Sequence, residues 1–464
     1  MARPSRTSPG GNVTVSRDAF GYVDAVAAIE ARSALGEGYV ATPVNQKDVL
    51  ARNLRRMRLL LERLGDPQHT LQIVHVAGSK GKATTAAHVA NILTAADARC
   101  GRFISPHLNS WRERIAIGDE LISGAEFASH IADVLEAAEW LEGQYPPIGR
   151  VNAFELLLAG ALDFFRYRSC SHAVVEVGLG GRFDPTNVLD TDVSVITQLE
   201  LEHTAILGPT LADIAWNKAG IFKPGVIAVA LESGEAATTT LERVAEETGS
   251  PLRLEARDWA WRVTDGLVTV ETADQTVNGI APAMPGRHQQ RIAALAAVVT
   301  QQSKRDRQML SQEYVRLGIS RTRLPGHFEV VEAGGQRFVL DVGHTPESIE
   351  ALTEALESAG IRGYRVIAGF LSDKAIGSML SALALSTVGS IDAVTVRSPR
   401  SASLAELADA RVNVATPIAL HSQLADVLFP EGSQVAAPEW TVITGSTALV
   451  AEARERLGLV DRFL

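Results

Sequence analysis

Lys82 is the residue around which this chain's chemistry can be organised. It stands in His75-Val76-Ala77-Gly78-Ser79-Lys80-Gly81-Lys82-Ala83-Thr84-Thr85. The apolar run from Gln72 to Ala77 enters a turn that carries glycines and a lysine. Val89, Ile92, Leu93 and Ala96 then recur at spacings of 3, 4 and 7 residues, the period of a half-buried helix. Strand, glycine turn and helix start are the parts of a phosphate-binding loop. Glycine lets the backbone approach an anion, helix-start N–H groups point at it, lysine adds a full charge, and a hydroxyl can hold Mg²⁺. The strict pattern G-x-x-x-x-G-K-[ST] is nonetheless broken twice. Val76 occupies the first glycine position, and Ala83 delays the hydroxyl by one place, to Thr84. On its own, the stretch fits either a nucleotide loop or a tight strand–helix turn.

Further segments with chemical potential follow in order. Ile104-Ser105-Pro106-His107-Leu108 precedes Glu113-Arg114-Ile115. Ala153-Phe154-Glu155-Leu156 comes next, then Glu176-Val177-Gly178-Leu179-Gly180-Gly181-Arg182-Phe183-Asp184-Pro185-Thr186-Asn187. Leu201-Glu202-His203-Thr204 and Ala215-Trp216-Asn217-Lys218-Ala219-Gly220-Ile221 close the first half. The second half carries Pro325-Gly326-His327-Phe328-Glu329 and Leu340-Asp341-Val342-Gly343-His344-Thr345-Pro346.

This series resembles the folylpolyglutamate synthase/dihydrofolate synthase branch of the Mur ligase family, in order, from about residue 45 to the C-terminus. The resemblance implies a P-loop-type ATPase domain with a mostly parallel sheet, a smaller Rossmann-like C-terminal domain, and a cleft between them. It implies ATP-dependent amide formation. A carboxylate takes the γ-phosphate to become an acyl phosphate, and the amine of an amino acid, glutamate in the family, displaces that phosphate. Moving a phosphoryl group between anions needs charge neutralisation above all. Lys82 is therefore expected on the β/γ-phosphates, with Gly78, Ser79, Gly81, Thr84 and Thr85 around the nucleotide. Thr84 is expected on a first Mg²⁺. Ser105, Glu176 and His203 are, by resemblance, ligands of a second. Lys218 occupies the position of a carbamylated lysine in the family. A carbamate supplies a carboxylate-like ligand where a free ammonium would repel the metal. Lys82, His203 and Lys218 make up the expected catalytic set.

Each residue also has a plainer reading. Glu176 ends an apolar strand and could serve a structural salt bridge, although buried charges seldom lack partners. His203 could cap a helix or hydrogen-bond in the core, and Ser105-Pro106 could be a simple turn. Gly178, Gly180 and Gly181 lack the spacing and downstream acid of a dinucleotide fingerprint. They read as a tight turn that carries Arg182 and Asp184 near the substrate. Phe154 and Glu155 are expected at the substrate too, the alternative being one face of a helix. Asp341 and His344 end a strand before a helix opened by Thr345 and Pro346. They are expected, with His327, at the nucleotide, because ligands of open α/β sheets bind at the carboxyl ends of strands. Arg52, Arg55, Arg56, Arg58 and Arg63 read as a solvated basic helix face.

The elements that must position these groups alternate. Strands are expected at 72–77, 172–177 and 192–197, and helices at 46–64, 84–97, 153–168 and 211–219. The stretch 251–277 reads as a small antiparallel patch, followed by a helix at 289–301 and a charged loop at 303–308. A second alternation runs through strands at 337–342, 365–369, 393–397 and 440–444, with helices at 346–359 and 447–457. Such alternation implies mostly parallel sheets covered on both faces. The expected organisation is a disordered tail (1–18), a Mur-ligase-type ATP-binding and catalytic domain (19–302) and a Rossmann-like ligase domain (323–464).

Composition narrows the classes. The 464 residues are 46% hydrophobic and carry a net charge of −10, which supports packed cores and argues against a broad nucleic-acid surface. Two cysteines imply no disulfide framework and fit a reducing cytoplasm. No apolar run reaches the ~18 residues of a membrane span. The expected partners are a small carboxylic acid and an amino acid, handled by a monomer.

Departures from the family cluster around the nucleotide. The family's Gly-Thr-Asn-Gly-Lys-Gly-Ser is here Gly78-Ser79-Lys80-Gly81-Lys82-Ala83-Thr84. Glu202 replaces the Asp before the histidine. Ile292 stands where an asparagine contacts the nucleotide, and His327 stands where an arginine does. An imidazole does not reproduce a bidentate guanidinium. A second reading is therefore the same chemistry on a non-folate carboxylic acid in a specialised pathway. A third is a nucleotide-binding paralogue without turnover.

Overall fold

The computed structural model describes residues 20–33, 47–302, 310–429 and 439–460, apart from 387, 413 and 415. The tail expected at 1–18 and the charged loop expected at 303–308 lie outside the described residues. Two large sheets and a small antiparallel one organise the rest. The first contains β1 (Gln72–Ala77), β2 (Cys100–Phe103), β3 (Ile115–Ile117), β4 (Glu120–Leu121), β5 (His172–Glu176), β6 (Val193–Ile196), β7 (Ile227–Ala230) and β8 (Leu252–Leu254). Its order is β4-β3-β2-β5-β1-β6-β7-β8. The strands from β2 to β8 in that order run parallel, and β3 and β4 form an antiparallel edge.

Successive residues on these strands serve two different cores, because side chains alternate across a sheet. Ile73, Phe103, Ala173 and Val175 pack under α1 (Tyr22–Ser33), α2 (Lys47–Arg63), α4 (Gly124–Gln144) and α5 (Ala153–Tyr167). Val74, Val76, Val174, Val193 and Val195 pack under α3 (Lys82–Ala95), α9 (Arg287–Thr300) and α10 (Gln312–Arg321). A third cluster seats α7 (Leu211–Lys218) and α8 (Glu235–Thr248) against β7 and the end of β6. The short helix α6 (Thr204–Leu207) lies in the loop between β6 and α7. Burial on both faces explains why the central strands read as continuous apolar runs.

The stretch expected as an antiparallel patch divides in two. Leu252–Leu254 joins the main sheet in parallel with β7. The antiparallel sheet is instead β9 (Trp259–Thr264), β10 (Leu267–Thr272) and β11 (Thr276–Ile280). Strand β2 gives no apolar signal because Gly101 and Arg102 interrupt it. Gly101 is required by packing, since a Cβ there would lie 2.5 Å from the Phe165 ring. The segment expected to divide the domains, 302–323, contains α10. That helix crosses α3 so closely that a Cβ at Gly318 would meet the Ile92 backbone at 2.5 Å, and its Val315 and Ile319 enter the α3 core.

The second sheet contains β12 (Glu329–Ala333), β13 (Gln336–Leu340), β14 (Arg365–Ala368), β15 (Ser390–Val394), β16 (Ile418–His421) and β17 (Trp440–Thr444), in the order β12-β13-β17-β14-β15-β16. Only β12 is antiparallel. Helices α11 (Pro346–Ser358), α12 (Ile376–Ala384), α13 (Leu404–Ala410), α14 (Ala425–Leu428) and α15 (Thr447–Arg456) cover it. Both large sheets are of the mostly parallel α/β class that the alternation predicts.

Candidate active site

Four adjacent parallel strands, β2, β5, β1 and β6, end on the same edge of the first sheet. Each is followed by residues able to do chemistry: Ser105 after β2, Glu176 at the end of β5, the Gly78–Lys82 loop after β1, and His203 in the loop after β6. The carboxyl edge of such a sheet is the usual ligand site.

Close packing shapes the phosphate loop. Gly78 leaves β1 at φ +152°, where a Cβ would lie 1.8 Å from Thr197 Oγ1, and Gly81 precedes α3 at φ +81°. The loop is stitched to the strand beside it. Thr197 Oγ1 donates to the Lys80 carbonyl at 2.7 Å, Ser79 N donates to Gln198 O at 2.8 Å, and Ser79 Oγ exchanges hydrogen bonds with the Glu200 backbone. Lys82 is the first residue of α3, and its Nζ reaches Ser79 O at 3.3 Å. The Thr85 hydroxyl is spent inside the helix, donating to Gly81 O at 2.8 Å. The Thr84 hydroxyl has no partner among the described residues, although Thr84 is 2% exposed.

A cavity of about 30 Å³ opens beside Lys82, lined by Gly78, Glu202, His203, Lys218 and the Val177–Gly180 turn. Lys218 ends α7, is 2% exposed, and donates to Gly78 O at 2.8 Å and Glu202 Oε1 at 2.7 Å. Burial, reinforced by Lys82, lowers its pKa to about 8, with Glu202 pulling the other way. Burial opposes ionisation of Glu202 as well, but Lys218, Lys82 and His203 outweigh it and hold that carboxyl below its usual range. His203 adopts a left-handed conformation at φ 46° and presents an exposed side chain at the start of α6.

Glu176 at this sheet edge is also buried, 2% exposed, with Ser105 N donating to its Oε2 at 2.9 Å. Burial raises its pKa to about 7, against the pull of Lys82, that backbone N–H and Arg114. A carboxylate so poorly solvated is a good partner for a cation. With the free Thr84 hydroxyl, this donor set is the hard-oxygen kind that suits Mg²⁺.

Other expected site residues are placed differently. Glu155 is fully buried and grips Arg56 through two 2.9 Å hydrogen bonds, while completing the cap of α5 with Asn152. It has no free oxygen to offer a substrate, and Arg56 leaves the solvated face to which it was assigned. Arg52, Arg55, Arg58 and Arg63 are exposed as that reading requires. Arg182 lies with its guanidinium 4.0 Å from the Trp216 ring centre and donates to the Trp216 carbonyl. It packs on α7 instead of lining the cavity. Asp184 is buried, accepting from Leu179 N and Thr186 N, so it holds the Gly178–Gly181 turn in shape. Phe154 packs edge-on against Phe103 and under Gly178, where a Cβ would lie 2.8 Å from the ring.

In the second half, Asp341 follows β13 and accepts from Phe328 N and Gly343 N, each at 2.9 Å. Burial raises its pKa, with His327 and His288 opposing. His327 and His344 each donate from Nδ1 to a nearby carbonyl, Pro325 O at 3.0 Å and Val342 O at 2.9 Å. Burial lowers the pKa of His344. Both oxygens of Asp341 are thus used to fix the turn between the two sheets. Glu202 lacked a role in the sequence reading. Its signal was available as the acid immediately before His203.

The Mur ligase glutamate ligase domain profile matches residues 326–446. The chain is 32% identical over 417 residues to the folylpolyglutamate synthase of Lacticaseibacillus casei, covering 87% of this chain and 94% of that protein. It is 34% identical over 362 residues to the dihydrofolate synthase/folylpolyglutamate synthase of Escherichia coli K12, covering 76% and 80%. Its fold matches the Mycobacterium tuberculosis folylpolyglutamate synthase complexed with ADP at a TM-score of 0.80 and 25% identity, covering 96% of this chain and 99% of that one. The chain therefore belongs to the folylpolyglutamate synthase/dihydrofolate synthase family of Mur-type ligases, ATP-dependent enzymes that form a C–N bond between a carboxylate and an amine.

Proposed function

We propose that this enzyme joins glutamate to a folate-type acid, dihydropteroate or a folate, with ATP becoming ADP and phosphate. The observation that carries the reading is the cavity where Lys82, Glu202, His203 and Lys218 converge beside a phosphate loop. The similarity to folylpolyglutamate and dihydrofolate synthases supports the folate acceptor over a non-folate acid. The neighbour bound to ADP supports ATP as the phosphoryl donor.

A carboxylate oxygen of the acceptor attacks the γ-phosphorus, and the bond to the β-phosphate oxygen breaks to release ADP. The glutamate amine then attacks the acyl carbon, and inorganic phosphate leaves with the carboxylate oxygen. Lys82 neutralises the β/γ-phosphates as charge moves between them. The helix-start N–H groups of α3, with Gly78, Ser79 and Gly81, cradle the phosphates. Two Mg²⁺ ions would be held by Thr84 on one side and by Ser105, Glu176 and His203 on the other, where they supply positive charge that lets two anions approach. His327 and His344 complete the nucleotide site from the second half, on the turn that Asp341 holds in place. The domain division proposed is a catalytic domain over 19–302, on which α10 also packs, and a C-terminal ligase domain over 323–464. The two cysteines are buried and form no disulfide, which fits the reducing cytoplasm; the enzyme is proposed to act there as a monomer.

Lys218 is proposed to carry a carbamate. A lysine with a pKa near 8 offers far more neutral amine at physiological pH than an ordinary lysine, and only the neutral amine adds carbon dioxide. The carbamate is an anion beside Glu202, so a cation must sit with it. Lys218→Ala should lower kcat by about 10²-fold or more, and intact-mass analysis of protein kept in bicarbonate should show the added carboxyl. Full activity in the variant, or a free amine in the loaded enzyme, contradicts the modification.

The activity itself is tested by phosphate release with ATP, Mg²⁺, glutamate and dihydropteroate. Release should require all four and stop when either the acid or the amine is omitted. ATP binding without turnover on any acid and amine would instead favour a paralogue without activity.

A further inference from the structure

Between Ser105 and β3 the chain makes a loop that reaches across to the second sheet's helices. Glu113 fixes its shape. One carboxylate oxygen accepts from Leu108 N at 2.7 Å and the other from Asn109 N and Ser110 N, both at 3.0 Å. The Asn109 amide is used at both ends on α15. Its Nδ2 donates to Ala451 O at 2.9 Å, and its Oδ1 accepts from Arg454 Nη1 at 2.8 Å. Arg454 is 8% exposed and turns its Nε to Glu329, at 3.0 and 3.3 Å. Glu329 in turn accepts from Gly326 N at 2.8 Å. Leu108 completes the contact among apolar residues of the second sheet's core. It seats where Gly326 carries no side chain, since a Cβ there would lie 3.0 Å from Leu108 Cδ2.

The network is continuous, running from Glu176 through the Ser105 backbone and the 105–113 loop to Asn109, Arg454 and Glu329. It ends at the turn that joins the two halves of the molecule. A charged contact made by an Arg454 side chain only 10% exposed is costly to leave half-made. The loop therefore has a strong preference for one seat on α15. We propose that Asn109 and Arg454 form an interdomain clasp, acting as positioning residues that set the second domain against the loop bearing Ser105. The glutamate ligase domain match covers the second half, so the amine is taken to approach from that side, and a small shift of the seat lengthens the approach of the reacting atoms. The proposal rests on the assignment of Ser105 and Glu176 to the metal site.

The test compares Asn109→Ala, Asn109→Asp, Arg454→Gln and the Asn109→Ala/Arg454→Gln double variant in the ligase reaction. Asn109→Ala should lower kcat roughly 10- to 100-fold, while affinity for a non-hydrolysable ATP analogue, held mainly by the Lys82 loop, falls far less than kcat does. Asn109→Asp keeps an oxygen facing Arg454 but loses the donor to Ala451 O, so its kcat should fall between those of the parent and Asn109→Ala. The double variant should lose no more than the worse single variant, because coupled residues are not additive. Three results overturn the clasp: unchanged kcat in Asn109→Ala, loss of nucleotide affinity in step with kcat, or an Asn109→Asp enzyme as impaired as Asn109→Ala. Ser105→Ala separates the two assignments. Loss there but not in Asn109→Ala overturns the clasp alone, and full activity in both overturns the metal-site assignment with it.

Discussion

Glu176→Gln is expected to give a protein that is more stable than the parent at pH 8 and does not turn over. The folded-state pKa of Glu176 is raised from 4.5 to about 7, chiefly by burial. Between those values the folded protein holds a proton that the unfolded chain has released. The carboxyl's contribution to stability is thus fully present below pH 4.5 and is lost as pH rises through about 7. Above that the ionised group costs on the order of 3 kcal/mol, at ~1.4 kcal/mol per unit. Glutamine has the same shape, carries no charge, and still accepts from Ser105 N. Denaturant midpoints should therefore favour the variant at pH 8 and converge with the parent near pH 5. Magnesium and ATP together should stabilise the parent more than the variant, which keeps the Lys82 loop but lacks one metal ligand. Turnover should fall by roughly 10³-fold. Equal stability of the two proteins at pH 8, or turnover near the parental value, would refute this account of Glu176.

Lys82→Ala should be the most damaging single change to the chemistry and a mild one to the fold. The ammonium makes one hydrogen bond within the protein, to Ser79 O at 3.3 Å, and alanine is well tolerated at a helix start. Unfolding should shift by about 1 kcal/mol or less. The phosphates, by contrast, lose the full charge that faces them, and kcat should drop by roughly 10³-fold or more. Two neighbours should report the loss independently. Lys82 lowers the pKa of both Glu176 and Lys218, so both should rise when it is removed. Titration of each group in the variant checks this, and turnover within tenfold of the parent would remove Lys82 from the phosphate site.

Much of this molecule is legible in its sequence, for identifiable physical reasons. Strands β1 and β17 are bounded where their apolar runs are bounded, because both are buried on two faces. The phosphate loop is announced by glycines that packing demands: Gly78 cannot carry a side chain beside Thr197. Strand β2 escapes notice because its glycine answers to a distant ring, Phe165, and that contact leaves no periodic trace. Leu252–Leu254 alternates like an edge hairpin, and only the tertiary fold assigns it to the parallel sheet.

The site divides along the same line. Lys82, Glu176, His203 and Lys218 follow strands or end helices that meet at one sheet edge, so their order in the chain is informative. Glu155 and Arg182 have the right types in the right stretches, yet Arg56 and Trp216 hold them. Those partners lie 99 and 34 residues away, a distance at which spacing carries no signal. Asn109 and Arg454 are joined across 345 residues and are invisible to any local pattern.

The central claim is that an acceptor carboxylate is activated as an acyl phosphate at the Lys82 cavity and then captured by an amine. The most direct measurement follows a heavy-oxygen label placed in the carboxylate of dihydropteroate, with ATP, Mg²⁺ and glutamate present. Mass analysis of the products should find one labelled oxygen in the inorganic phosphate, and an amide product heavier than the acid by one glutamyl residue. Amide formed with unlabelled phosphate, or ATP bound with no amide from any folate-type acid, would contradict it.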